Sequence, residues 1–175
     1  MSINPIDQAI ENLAVQGIFL RSTTIKQHED FDPRLGDKEL LVQTRAGTTL
    51  LNDLEVLDDK TGEKHQLFKV HFNCGLRLSD PGLVQGEDPA SGVVVEISAT
   101  FVAEYLVKPG AYISDDAKDA FSKQNVGYHV WPYWREYVQS SCGRLGLPIV
   151  NVPLYRVSKA NQKKPQARPR KKTTI

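Results

Sequence analysis

The 175-residue chain has only two cysteines, Cys74 and Cys142, and no apolar run that approaches the roughly 18 to 20 residues needed to span a bilayer. Two thiols make no disulfide framework, and they suit a reducing compartment. The N-terminal stretch MSINPIDQAIENLAVQG lacks the basic start and long apolar segment of a secretory signal. These absences predict a cytoplasmic protein with no membrane insertion. Catalytic signatures are missing too: there is no G-x-G-x-x-G opening a helix, no Walker loop and no C-x-x-C. His65, His71 and Cys74 come nearest to a metal set, yet strand alternation puts both histidines on one face and Cys74 on the other. Cys142 has no neighbouring histidine to activate it. Asp58 with Asp59, and Asp115 with Asp116, read as a turn and a helix start. The expectation is a protein that is not an enzyme and takes no metal or cofactor.

What is present is an ordinary globular composition, 40% hydrophobic and 25% charged, which suits one domain. The net charge of +1 conceals an asymmetry. Residues 158–175 hold seven basic side chains (Lys159, Lys163, Lys164, Arg168, Arg170, Lys171 and Lys172) and no acid. The remainder carries 15 basic against 21 acidic side chains. The expected organisation is therefore a single acidic domain over 1–157 and a disordered basic tail over 158–175, too polar to fold alone. Such a tail is either a solubilising segment or an arm for RNA, anionic lipid or the acidic face of a partner.

Asn4, Pro5 and the spacing of Ile6, Ile10 and Leu13 predict a short amphipathic helix over 5–16, ended by Gly17. A strand is expected over 18–27 and shorter ones over 38–44 and 52–58, the last joined by the turn DKTGEK to a long strand over 68–78. Alternation there sets Phe68, Val70, Phe72, Cys74, Leu76 and Leu78 against Lys69, His71, Asn73 and Arg77. Residues 93–105 repeat the pattern after a Pro/Gly-rich hairpin connection. Ser114 before two aspartates predicts a helix over 115–124, loosening at Asn125 and Gly127. A second helix is expected over 132–145, with Pro132 at an opening position and Gly146 as its stop. Strands followed by helices make an α+β fold.

The segment VWPYWREYVQSSCGRLGLP concentrates aromatic side chains. On a helical wheel Trp131, Trp134, Val138, Cys142 and Leu145 form one stripe. That stripe suits packing on the sheet, but Tyr133 and Tyr137 widen the apolar arc beyond it, which points to a second contact with another subunit or a ligand chain. The extended stretch LGLPIVNVPLY adds Leu147, Ile149 and Val150.

The run PYWREYVQSSCGRLGLPIVN resembles the Pro-Tyr-x-Arg-Glu segment of SecB-type protein-export chaperones. Pro132, Tyr133, Arg135, Glu136, Arg144, Pro148 and Asn151 fall on the matching positions, and the order of elements agrees. The resemblance implies a four-stranded antiparallel sheet packed against C-terminal helices, a homotetramer built as a dimer of dimers, and unfolded client proteins held without ATP in apolar grooves. Export members hand clients to SecA, whereas others shield an antitoxin. The basic tail, and the helix at 5–16, depart from the export pattern and lean towards an atypical branch, solitary or toxin–antitoxin-linked. Candidate groove residues are Leu50, Leu51 and Leu54, read as lying in a connection, with Trp131, Trp134, Tyr137, Leu147, Ile149 and Val150. The competing reading is a small α+β adaptor that binds nucleic acid or an acidic partner through its arm. The acidic body argues against nucleic acid.

Overall fold

Phe68, Val70, Phe72, Cys74, Leu76 and Leu78 are all buried on one side of a single strand, as their alternation requires. A computed structural model describes residues 4–34, 39–84, 86 and 88–156. The tail expected to be disordered, 158–175, lies outside the described residues. The strand in question is β3 (Lys64–Ser79), and it pairs antiparallel with β2 (Leu41–Leu57) and with β4 (Val93–Val107). β4 in turn pairs antiparallel with β1 (Leu13–Gln27), giving one four-stranded sheet in the order β1-β4-β3-β2. Helix α1 (Pro5–Asn12) precedes the sheet, and α2 (Asp115–Gln124) and α3 (Val126–Arg144) follow it. The fold is thus the α+β arrangement anticipated, an antiparallel sheet with C-terminal helices on one face.

Three expectations need correction. The first helix stops at Asn12 rather than Gln16, and its buried residue is Ala9, whereas Ile10 is exposed. The chain is already a strand at Leu13, and Gly17 lies at a β-bulge between Val15 and Gly17 instead of ending a helix. A Cβ on Gly17 would sit 2.5 Å from Cζ of Phe19, so the glycine is what lets that ring fold back along the strand.

Secondly, the two short strands around 38–58 are one strand of 17 residues. The residues between them, from Arg45 to Leu51, do not form a connection. Thr48 and Thr49 favour extended backbone, and a register shift between Thr48 and Leu50 absorbs the irregularity. Thirdly, α3 opens at Val126, so Pro132 is inside it. Pro132 falls on an exposed face, where water can satisfy the carbonyl that its missing N–H leaves free. Gly127 does not loosen the helix. The Tyr155 ring lies so close that any Cβ at 127 would collide with it, and only glycine allows that approach.

Other local signals act as the residue types dictate. Asp58 accepts from the Lys60 and Thr61 amides, and Gly62 takes a positive φ of 71° to complete the β2–β3 turn. Ser114 accepts from the Ala117 amide to cap α2. Gly146, at φ 69°, closes α3 as the N–H of Leu147 donates to the carbonyl of Cys142 at 2.9 Å. The core between sheet and helices is filled by Trp134, Tyr105, Phe68, Phe72 and the branched residues around them. Helix α1 docks on α2 through the Gln8 side chain, whose Oε1 accepts from Ser114 Oγ at 2.9 Å.

Tyr105 Oη and His129 Nδ1 lie 2.9 Å apart, and the imidazole also approaches the Phe121 ring. Burial pushes the His129 pKa below its usual value and that of Tyr105 well above its own. A histidine held neutral on folding costs stability as the unfolded chain takes up a proton, so stability is full above the unfolded pKa and declines as pH falls through about 6.5. The urea midpoint should therefore drop between pH 7.5 and 5.5, and His129→Gln should flatten that slope. An unchanged slope in the variant would assign the pH dependence elsewhere.

Candidate binding surface

The sheet has a second face, opposite the helices, and the strand register divides it into two halves. Towards one end, Thr24, Ser98, Gly75 and Arg45 share one row across the four strands, and Ser22, Thr100, Asn73 and Gly47 share the next. Thr100 Oγ1 donates to Asn73 Oδ1 at 2.8 Å. Glu96 accepts from Arg77 Nε at 3.0 Å, and Arg45 lies 3.8 Å from the same carboxylate oxygen. This half is polar and internally paired.

Towards the other end the rows become apolar. Phe19, Val102, His71 and Leu50 lie side by side across the sheet, and Ala14, Leu106, Leu67 and Leu54 form a second row. Between them runs a charged row in which Lys69 and Glu104 pair. Phe19, Leu50 and Leu54 stand at the two margins with 54%, 48% and 46% of their surface exposed. Leu51, 37% exposed, is opposite Val70 and so lies at the margin of the helix-side face. Both β1 and β2 are edge strands in the single chain, and their outer backbone groups pair with no other strand among the described residues.

The candidate groove residues separate accordingly. Leu50, Leu51 and Leu54 are exposed, but they stand on β2 rather than in a connection. Ile149, at 70% exposure, is the other strongly exposed member. Trp134 is fully buried under the sheet, and Trp131, Leu147 and Val150 are buried as well, so these four belong to the core of the chain. The wide aromatic arc of α3 has a simple cause: its central stripe packs inward, while Tyr137 packs partly against the core and its hydroxyl meets Thr23 Oγ1 at 2.6 Å. Of the motif positions, Pro132, Tyr133, Glu136, Arg144, Pro148 and Asn151 are exposed and Arg135 is half-buried. The structure thus puts Leu50 and Leu54 on one face of β2 with Val56, and Phe19 at the opposite margin of the same face; sequence reasoning missed Val56 and Phe19. Two bulges in β1 break its alternation, so no period-two signal marked Phe19.

After α3 the chain runs back in extended form. Leu147, Val150 and Val152 are buried, and Trp131 Nε1 donates to the Pro153 carbonyl at 2.6 Å. Tyr155 closes this strap, with its ring 5.2 Å from Trp131, 5.0 Å from Tyr128 and 6.2 Å from Phe72 between centroids. Between strap and helix opens a cavity of about 590 Å³ walled by Tyr128, Trp131, Tyr155 and Leu154, with Arg135 among its lining residues.

Cys74 is buried on the helix side, opposite the face of His65 and His71, and burial pushes its thiol up to about 12. Among the described residues no three His, Cys, Asp or Glu side chains gather as a metal set, and no helix is long and apolar enough to cross a membrane.

The fold is that of a SecB-like chaperone. The chain is similar to the Mycobacterium tuberculosis Rv1957 SecB-like chaperone, solved in complex with a ChAD peptide from the Rv1956 HigA1 antitoxin. The two share 20% sequence identity with a TM-score of 0.62, over 87% of this chain and 96% of that one. No family model matches the sequence, and no curated protein does.

Proposed function

We propose that this protein is an ATP-independent chaperone of the holdase type, which binds unfolded polypeptide through exposed apolar side chains at the margins of its sheet. The observation that carries the reading is the placement of Phe19, Leu50, Leu54 and Val56 in solvent on a sheet whose fold is SecB-like. Isolated exposed leucines are common, but rows shared across neighbouring strands and ending at open edges suit an extended, apolar chain. The similar chaperone was solved with an antitoxin peptide, which supports a dedicated client of that kind for this chain ahead of handover to SecA. The client groove on this reading is narrower than the sequence suggested. Of the residues singled out from the sequence, Leu50, Leu51 and Leu54 remain candidates on β2, Ile149 is exposed in the segment after α3, and Tyr137 packs partly against the core beside β1.

The test is protection of a chemically denatured reporter enzyme from aggregation, measured by light scattering in the cytoplasmic pH range. The full chain should suppress scattering at near-stoichiometric ratios, and deletion of 158–175 should leave that protection largely in place. Loss of protection on deletion would instead favour binding through the basic arm. No protection by the full chain would overturn the chaperone reading.

A further inference from the structure

The polar half of the sheet's outer face carries an excess of positive charge on a domain that is acidic as a whole. Lys26, Glu96, Arg77 and Gln43 share one row, and Thr24, Ser98, Gly75 and Arg45 share the next, so three cations stand around one carboxylate. Residues 1–157 together hold 15 basic against 21 acidic side chains, so the sign is locally reversed here. Glu96 is shared between Arg77 and Arg45 and is largely covered. The cations stay open to water: the Arg45 side chain is 71% exposed, that of Arg77 42%, and Lys26 is exposed as well. Arg45 Nε lies 2.6 Å from where a Cβ on Gly75 would be, so the bare Gly75 backbone is what lets the arginine stem lie flat across β3. One carboxylate does not neutralise three cations, and a second one arriving from solvent meets exposed donors in the fork geometry that arginine favours. The acids that follow β1, Glu29 and Asp30, are in an exposed turn where water and salt screen them.

Beside these cations the face sinks into an open trough of about 320 Å³, lined by Ser22, Thr24, Gly47, Asn73 and Thr100 as well as Arg45. Thr100 donates to Asn73 Oδ1, which leaves the Asn73 amide nitrogen to donate to an incoming backbone. The trough adjoins the row Phe19, Val102, His71 and Leu50 that begins the apolar half. A chain laid along the strands therefore passes from apolar side chains, over neutral hydrogen-bonding ones, to cations. We infer that this half of the sheet is a subsite for an acidic stretch of the client, set four to six residues from the apolar stretch that the leucine half holds. The spacing follows from β4, where Ser98 and Glu96 stand four and six residues from Val102, about 13–20 Å of extended chain. A polypeptide fits this surface better than a nucleic acid, because apolar rows continue it on one side and a polyanion would lie against an acidic domain. The inference rests on the chaperone reading and adds to it a charge pattern that the client must carry.

Three end-capped, fluorescein-labelled peptides provide the test, each with a Leu-Phe-Leu centre in a Ser/Thr frame. In the first, a pair of glutamates stands five residues from the centre on both sides. In the second the same glutamates adjoin the centre, and in the third glutamines replace them at the distant positions. Fluorescence anisotropy with the full chain at low salt should show the first peptide binding at least fivefold more tightly than either of the others. That advantage should shrink at high salt. The first two peptides carry equal charge, so any pull from the basic residues of 158–175 acts on both alike. Arg45→Gln combined with Arg77→Gln should erase the advantage and leave the affinity for the glutamine peptide unchanged. Equal binding of the first two peptides, or an advantage that survives the double change, would overturn the inference. A single-stranded RNA that binds more tightly than the first peptide, and needs both arginines to do so, would also overturn it and assign the surface to nucleic acid. The comparison of peptides changes only the ligand, so it does not depend on a variant folding. If no peptide binds while the denatured reporter is still protected, the subsite fails and the chaperone reading stands. If protection fails as well, both fall.

Discussion

Trp134→Ala should lower the unfolding free energy by about 3–5 kcal/mol, the usual cost of removing a large aromatic side chain from a closed core. Trp134 has no exposed surface, and around it lie Val130, Val138 and the buried faces of β3 and β4. A loss of that size is a large part of the roughly 5–15 kcal/mol that stabilises a typical domain, so the variant should melt well below the parent or express poorly. The indole adds a finer point. Its Nε1 is buried and has no hydrogen-bond partner among the described residues. Trp134→Phe therefore removes an unsatisfied donor along with one ring, and it should cost much less than the alanine change. Chemical denaturation of the two variants measures both. If alanine and phenylalanine cost the same, the buried indole N–H makes a hydrogen bond that phenylalanine forfeits.

The same residue illustrates what could be read in advance. The stripe Trp131, Trp134, Val138, Cys142 was legible because a helix facing a sheet imposes a spacing of three and four, and burial follows from the spacing alone. The sheet's central strands were legible for the same reason. β3 and β4 each have one buried and one half-wetted face, which forces strict alternation. The edge strands were not. In β1 and β2 neither face is fully covered, so no alternation is selected, and bulges at Gln16, Arg21 and Thr49 shift whatever phase exists. That is why β2 read as two fragments with leucines stranded between them.

Edge strands also explain why the candidate surface was half visible. Leu50, Leu51 and Leu54 stood out because a cluster of leucines without core periodicity has no inward destination. Phe19 carried no such mark, since its neighbours Ile18 and Leu20 made an apolar run that a buried strand would also show. The cavity near Arg135 was invisible for another reason. It depends on Tyr155 returning to Gly127 from nearly thirty residues away, and local sequence does not encode that approach. Pro132 misled for a related cause: a proline is most often an opening residue, and only tertiary packing of the turn before it carries the helix back to Val126.

Replacing Leu50, Leu51 and Leu54 together with serine should weaken capture of an unfolded client by one to two orders of magnitude while the fold survives. Each leucine is about half exposed, so each side chain has roughly 1 kcal/mol still to gain when a client covers it, and three of them sum to a factor of that order. The structural cost is of similar size for each position, because the already buried half is what serine forfeits. Leu50 opposes His71, Leu51 opposes Val70 and Leu54 opposes Leu67 on β3, so the cost falls on an edge strand whose partner is held independently by β4. Circular dichroism should therefore show an intact sheet, with a melting temperature lowered by roughly 6–12 °C for about 3 kcal/mol lost in all, while protection of the reporter enzyme falls sharply. A matched control, Leu83→Ser, removes a leucine of similar exposure in the connection before β4, outside the apolar rows, and it should leave protection unchanged. If the triple variant unfolds, the leucines are structural and the margin of β2 is no client site. If it folds and protects as well as the parent, clients are held elsewhere, and the exposed rows on this sheet have another occupant.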